Sequence, residues 1–380
     1  MAVITVEGLD PSTGEVLEVE CRDLVIVAVR RRGRTGDKTL PYVSPGLVDL
    51  QVNGYAGHDV NAENVAVDDL AAITEALANE GVTTWVPTIV TAPEYRIRKA
   101  LRVVSEARGD PVLAAAIPFA SVEGPFLSDL DGPRGVHELT SIRPIDSDEV
   151  ERWAAEGPVG IVTVSPHWPN SARAISRIVA SGITVAIGHT HADNADIRAA
   201  VDAGASLSTH LGNGIFPELP RHPNPIWSQL AEDRLAAGFI ADGHHLPAET
   251  LKVMLRAKPA GGAFVVSDAT TIAGMPPGRY HTPVGGDVEL SEDGRLSPVG
   301  TNILAGAAKS LAHALPFLIG NVGLSVAQAV SLATSNPGGV VARVSGAVRG
   351  CVRIGGRADL VLIDHSGLVV GVVAGGKRRP

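Results

Sequence analysis

The chain has 380 residues and a formal charge of −9, from 32 basic and 41 acidic side chains. That length accommodates one barrel of roughly 250 residues plus a smaller unit, and an acidic balance with no long basic run argues against nucleic acid as a partner. Cys21 and Cys351 stand far apart without CxxC spacing, which argues against a disulfide framework and fits a reducing, cytoplasmic setting. Met1–Glu7 has no basic segment before an apolar stretch, so no signal peptide is expected, and no apolar run is long enough to span a bilayer.

Along residues 1–43, short strand-like runs (Ala2–Val6, Leu17–Cys21, Leu24–Val29) alternate with turns at Asp10–Gly14 and Arg32–Gly36. The C-terminal end has the same style, with Gly350–Ile354, Ala358–Asp364 and Gly367–Val373. Neither segment buries much alone. Residues 1–43 and 349–380 are therefore expected to pair into one small β-sandwich domain beside a catalytic unit at 44–348.

Eight apolar runs of strand length fill that unit: Gly46–Gln51, Thr83–Pro87, Leu113–Val122, Gly160–Val164, Ile183–Gly188, Ala205–Thr209, Leu235–Ala241 and Gly262–Ser267. Helix-period stretches follow most of them, at Val67–Asn79, Glu94–Ala107, Asp148–Ala155, Ala172–Ala180, Ala195–Ala203 and Ala248–Lys258. About eight strand–helix units predict an α/β fold with a parallel sheet closed into a (β/α)8 barrel. A doubly wound open sheet is the alternative, but Val52–Gly57 lacks its G-x-G-x-x-G turn.

Glu123, His189, His210 and Asp268 each fall where one of these runs stops, and His245 follows the run ending at Ala241. In a barrel, strand ends gather at one mouth. Glu123, His189 and His210 supply one carboxylate and two imidazoles, a set suited to Zn2+ or a similar divalent ion with a position left for water. Any one of these histidines alone is more often structural. Asp268 is either a turn carboxylate or, beside a metal, the general base that takes a proton from water and returns it to a leaving amine. His137 and His245 are candidates to bind an oxyanion or an anionic substrate group, and spacing does not decide between His244 and His245. Glycine at 212 and 214, with Asn213 and Arg221 nearby, would suit a phosphate; a proline-rich surface loop explains the same residues. His191, two residues beyond His189, is kept as a supporting or substrate contact. His58, His167, His222, His281, His313 and His365 show no shared placement and are read as structural.

The segments Pro45–Gly54, Val122–Phe126, Gly188–Thr190, Thr209–Asn213, Ile240–His245 and Val266–Ala269, with the late Ala333–Gly338 and Gly355–Val361, carry a resemblance over nearly the whole chain. They resemble the N-acetylglucosamine-6-phosphate deacetylases of the amidohydrolase superfamily. The resemblance implies hydrolysis of the acetamide of a phosphorylated N-acetyl amino sugar, with Glu123, His189 and His210 as ligands of a single metal ion. It implies Asp268 as acid/base and His137 beside the scissile carbonyl. Asn213, the Gly214 backbone, Arg221 and His245 would hold the phosphate, Arg221 reaching in from a neighbouring subunit of a homodimer.

Several positions depart from the family. Many superfamily members carry H-x-H on the first barrel strand, where this chain has Gln51 and Asn53; one principal metal ion is therefore expected. Gly214, Ile215, His191 and His244 also differ from the usual residues, all in the sugar and phosphate region. The alternatives are the same hydrolysis on another N-acyl amino sugar or a cyclic amide, and a barrel that binds a sugar phosphate without catalysis.

Overall fold

Eight strands run parallel in one sheet: β1 (Leu47–Val52), β2 (Val82–Val90), β3 (Ala120–Glu123), β4 (Val159–Val164), β5 (Thr184–Ile187), β6 (Leu207–Ser208), β7 (Ala236–Ile240) and β8 (Ala263–Val266). They stand in sequence order, each paired with the next. The computed structural model describes residues 3–37, 39–282, 286–301 and 303–380. Met1 and Ala2, at the head of the first expected strand, lie outside the described residues.

A cavity touched by every strand, at Leu50, Thr88, Ser121, Ile161, Ala186, Leu207, Gly238 and Phe264, marks the barrel axis. The sheet closes where β1 meets the end of β8. There Val52 bridges Ala269 in parallel, Asp268 N donates to Gln51 O at 3.0 Å, and Asn53 N donates to Ala269 O at 2.8 Å. The buried Asp49 carboxylate joins this seam, its Oδ1 accepting from Ser267 N at 3.1 Å and Gln51 N at 3.3 Å.

Helices pack outside because apolar residues recur at helical spacing. Val67–Asn79 and Glu94–Ala107 form over the expected residues, burying Leu70, Ile73 and Leu77 on the first and Ile97, Leu101 and Val104 on the second. The helix Val67–Asn79 is tied to β2 by Trp85, whose Nε1 donates to Thr74 Oγ1 at 3.0 Å. Trp85 is fully buried, and a buried Trp N–H usually finds such a partner. The other four expected helices form within about one residue of the predicted ends, at Ser147–Ala154, Ser171–Ala180, Asn194–Asp202 and Ala248–Ala257.

The run Leu113–Val122 is not one strand. Its first part belongs to a helix, Pro111–Ala116, and only Ala120–Glu123 joins the sheet. Asp110 caps that helix by accepting from Val112 N and Leu113 N, and Pro111 occupies the first turn where its missing N–H costs nothing. A hairpin sheet, Gly278–Thr282, Gly286–Leu290 and Leu296–Pro298, was not expected from the sequence. Three further helices, Ala314–Gly320, Val326–Ala333 and Ser335–Ser345, follow it.

Both ends of the chain meet in a seven-stranded sheet. In spatial order it runs Lys377–Arg378, Val369–Ala374, Leu360–Ile363, Tyr42–Pro45, Val3–Leu9, Glu15–Arg22, Val25–Arg34. Its outer strand turns back on the C-terminal segment, with Ile26 N donating to Gly356 O and Gly355 N donating to Ile26 O, each at 2.9 Å. Val6, Val19, Cys21, Ile26, Val43 and Leu360 are buried between, giving the sandwich-like unit its own core. Gly350–Ile354 contributes no strand to it. Gly350 instead turns at φ 68° so close to Thr334 O that a Cβ would stand 2.2 Å away, a passage only glycine permits.

Candidate active site

Glu123 ends β3, His189 follows β5, His210 follows β6 and Asp268 follows β8, so the four converge at one mouth of the barrel. His189 (φ 46°), His210 (φ 26°) and Asp268 (φ 52°) all sit in the left-handed region, uncommon for residues other than glycine. Each costs on the order of 1–3 kcal/mol. Three such departures at three strand ends mark where side-chain placement overrides backbone preference.

Glu123 Oε1 lies 3.0 Å from His210 Nε2 and 3.5 Å from His189 Nε2, and the two nitrogens stand 3.1 Å apart. Ligand atoms about 2.1 Å from a tetrahedral ion are separated by about 3.4 Å, so this triangle fits one divalent ion. The donor chemistry agrees. His189 Nδ1 is 2.8 Å from the Pro133 carbonyl, which only accepts; Nδ1 therefore carries the proton and Nε2 presents its lone pair to the triangle. Burial opposes a charge on His210, but its hydrogen bond and charge pairing with Glu123 prevail and push it up to about 9. Burial likewise opposes ionisation of Glu123, and the two imidazoles overcome it, holding the carboxyl well below its ordinary range.

Gln51 and Asn53, read from sequence only as missing metal ligands, each hold a carboxylate. Gln51 Nε2 donates to Glu123 Oε1 at 3.2 Å, and Asn53 Nδ2 donates to Asp268 Oδ1 at 2.8 Å. Their placement at the end of β1 was the available signal. Asp268 is half-buried, and its carboxyl is raised first by burial and then by the charge of Glu123. His137, on the loop beyond β3, is buried with Nε2 3.3 Å from His189 Nε2. Burial, then the neighbouring His189, lowers it to about 3, so the ring is neutral at pH 7.

The residues expected to meet a phosphate divide into two groups. Gly214 packs directly on His189, and Asn213 Nδ2 donates to the His210 carbonyl at 3.2 Å. His245 donates from Nδ1 to Asp242 Oδ2 at 2.7 Å, with its side chain buried. His244 faces elsewhere, against Lys309 Nζ and the Asp293 carbonyl of the hairpin sheet. Arg221 lies on an exposed loop and makes no hydrogen bond or ion pair among the described residues. Of the histidines read as structural, His58 pairs with Asp69, His281 with Asp287, and His365 with the Leu40 carbonyl. His167 does not fit that reading, because it meets His191 at ring centroids 4.1 Å apart beside the same mouth.

The amidohydrolase family model matches residues 42–379. N-acetylglucosamine-6-phosphate deacetylase of Danio rerio is 32% identical over 337 residues, spanning 85% of this chain and 80% of that protein. N-acetylgalactosamine-6-phosphate deacetylase of Escherichia coli O157:H7 is also 32% identical, over 86% of this chain and 84% of its own. Among solved structures, a mutant N-acetyl-D-glucosamine-6-phosphate deacetylase from Mycobacterium smegmatis, in complex with N-acetyl-D-glucosamine-6-phosphate, superposes with a TM-score of 0.83. It is 27% identical and covers 99% of this chain and 98% of its own. With its closed parallel barrel, its histidine–carboxylate mouth and a family match across nearly nine-tenths of its length, this chain belongs to the amidohydrolase family.

Proposed function

We propose that the protein removes the acetyl group from N-acetylglucosamine 6-phosphate, giving acetate and glucosamine 6-phosphate. The observation that carries this reading is the triangle of Glu123, His189 and His210 with Asp268 at the adjoining strand end. Glu123 Oε1, His189 Nε2 and His210 Nε2 would hold one divalent ion, and Zn2+ suits this donor set. A bound ion supplies Lewis-acid polarisation of the acetamide carbonyl and activation of water. Asp268 takes the proton of the attacking water and delivers it to the amine nitrogen as the C–N bond breaks, Asn53 holding its Oδ1. Its raised affinity for a proton suits both halves of that exchange. Neutral His137 donates to the carbonyl oxygen as charge develops there. Asn213, the Gly214 backbone and His245 take the phosphate, completed by Arg221 from the partner of a homodimer. The exposed, unpaired guanidinium of Arg221 supports that assignment. Two free cysteines and a phosphorylated substrate fit the cytoplasm. Among the described residues, no helix is long and apolar enough to cross a membrane.

A second sugar is supported by a specific observation, since relatives acting on the gluco and galacto substrates are equally similar to this chain. A panel of N-acetylglucosamine 6-phosphate, N-acetylgalactosamine 6-phosphate and unphosphorylated N-acetylglucosamine, read as kcat/KM for acetate release, separates the readings. The gluco phosphate is expected to lead, and Arg221→Ala is expected to cost it about tenfold or more, the scale of a charge-assisted phosphate contact. An unchanged kcat/KM in Arg221→Ala removes that residue from the phosphate site.

Gly214 provides a further check. A Cβ there would stand 2.8 Å from His189 Nδ1, at φ 59°. Gly214→Ala is expected to push the ring off the Pro133 carbonyl and weaken metal binding by about 10–100-fold, as lost supporting contacts do. Equilibrium dialysis measures it; unaltered affinity would mean that His189 does not depend on this packing.

A further inference from the structure

A second group of ligand-type side chains lies at the same mouth and takes no part in the chemistry above. Asp129, His167 and His191 each offer a ligand atom within 4.8 Å of the others. They sit on the loops that follow β3, β4 and β5, and β4 contributes nothing to the catalytic cluster.

Hydrogen bonding sets the state of the His167 ring. Ser165 Oγ donates to Thr190 Oγ1 at 2.8 Å and lies 2.6 Å from His167 Nδ1. With its one O–H committed to Thr190, Ser165 accepts from His167 Nδ1–H, which leaves the lone pair on Nε2. That Nε2 is buried, has no hydrogen-bond partner among the described residues, and stands 3.8 Å from Asp129 Oδ1. His191 Nδ1 also meets a serine hydroxyl, lying 2.6 Å from Oγ of the fully buried Ser128, which accepts from Leu130 N at 3.2 Å. Packing of the two rings against Trp168 and Phe216 accounts for their burial. It does not account for a buried, unpaired nitrogen beside a carboxylate, an arrangement that normally costs about 1–3 kcal/mol.

We propose that Asp129, His167 and His191 form a second metal site, separate from Glu123, His189 and His210, for Zn2+ or another divalent ion that favours imidazole. Metal-binding histidines characteristically commit the second ring nitrogen to a polar partner, as both do here. Ligands of a tetrahedral ion stand about 3.4 Å apart; the Asp129–His167 pair at 3.8 Å is near that spacing, and the three atoms, all within 4.8 Å of one another, would draw together on binding. Asp129 has that freedom, its side chain being 47% exposed. Two imidazoles and one carboxylate leave a coordination position for water or a ligand. The site is also mechanically joined to the catalytic one, because Ser128 N donates to the His189 carbonyl at 2.9 Å.

The test is the number of zinc ions retained per chain after equilibrium dialysis at micromolar free Zn2+, in wild type, His167→Phe and His210→Gln. Phenylalanine keeps the ring packing and removes the nitrogen. Two ions in wild type, with one lost in each variant, is the expected result. A wild type that holds one ion which survives in His167→Phe overturns the proposal, as does a His167→Phe variant that still holds two. Because the wild-type count is read without any mutation, misfolding of a variant does not shield the proposal. A loss of one ion in His210→Gln alone would leave the catalytic assignment standing and the second site refuted.

Discussion

Asp268→Asn is expected to lower kcat for acetate release by about 10²–10⁴-fold, the range that positioned acid–base groups contribute, while the metal content stays unchanged. Asparagine has the same shape, and its amide oxygen can still accept from Asn53 Nδ2, which now holds Asp268 Oδ1 at 2.8 Å. The left-handed φ of 52° is also tolerated by Asn. What asparagine cannot do is accept a proton from water and pass it to the departing amine. The loss should therefore fall on kcat, with KM little altered, as for an interaction made only in the transition state. Steady-state acetate release with metal analysis on the same sample checks it. Retained turnover would remove Asp268 from the reaction.

The second large effect concerns stability. Asp49 is fully buried in the seam that closes the barrel, with Oδ2 lacking a hydrogen-bond partner among the described residues. Burial raises its carboxyl to about 7, opposed by the bonds from Ser267 and Gln51 and aided by the charge of Asp268. An unfolded Asp titrates near 3.9. Below about pH 4 both states are protonated and Asp49 has no pH-dependent effect. Between about 4 and 7 the unfolded chain releases a proton that the folded chain keeps, so stability falls as pH rises. The total is about 4 kcal/mol, at about 1.4 kcal/mol per unit of separation. Asp49→Asn removes this titration and keeps an acceptor for the Ser267 and Gln51 amides. Its stability relative to wild type is therefore expected to climb by up to about 4 kcal/mol between pH 4 and pH 8. Denaturant unfolding at several pH values measures the difference; parallel curves for the two proteins would contradict it.

The parts of this structure that were legible in the sequence were those with a strong local period or a fixed place in a repeating unit. Eight apolar runs became eight barrel strands, and Glu123, His189, His210 and Asp268 were found because each ends such a run. Leu113–Val122 misled because a short apolar run has the same appearance in a strand and in a buried helix. The Asp110–Pro111 cap beside it carried the correction. The hairpin sheet at 278–298 has exposed residues along its first two strands, and its sequence shows no continuous apolar run. Gln51, Asn53 and His167 were opaque for another reason. Their partners, Glu123, Asp268 and His191, lie 72, 215 and 24 residues away, and only the folded sheet, closed at the β1–β8 seam for Asn53, brings them together.

Acetate release from N-acetylglucosamine 6-phosphate by the zinc-loaded protein, before and after chelation, tests the central claim most directly. Acetate and free amine should appear in equal amounts, stop when the metal is removed, and resume when it is restored. A protein that holds its zinc and releases no acetate from this sugar phosphate would contradict the account.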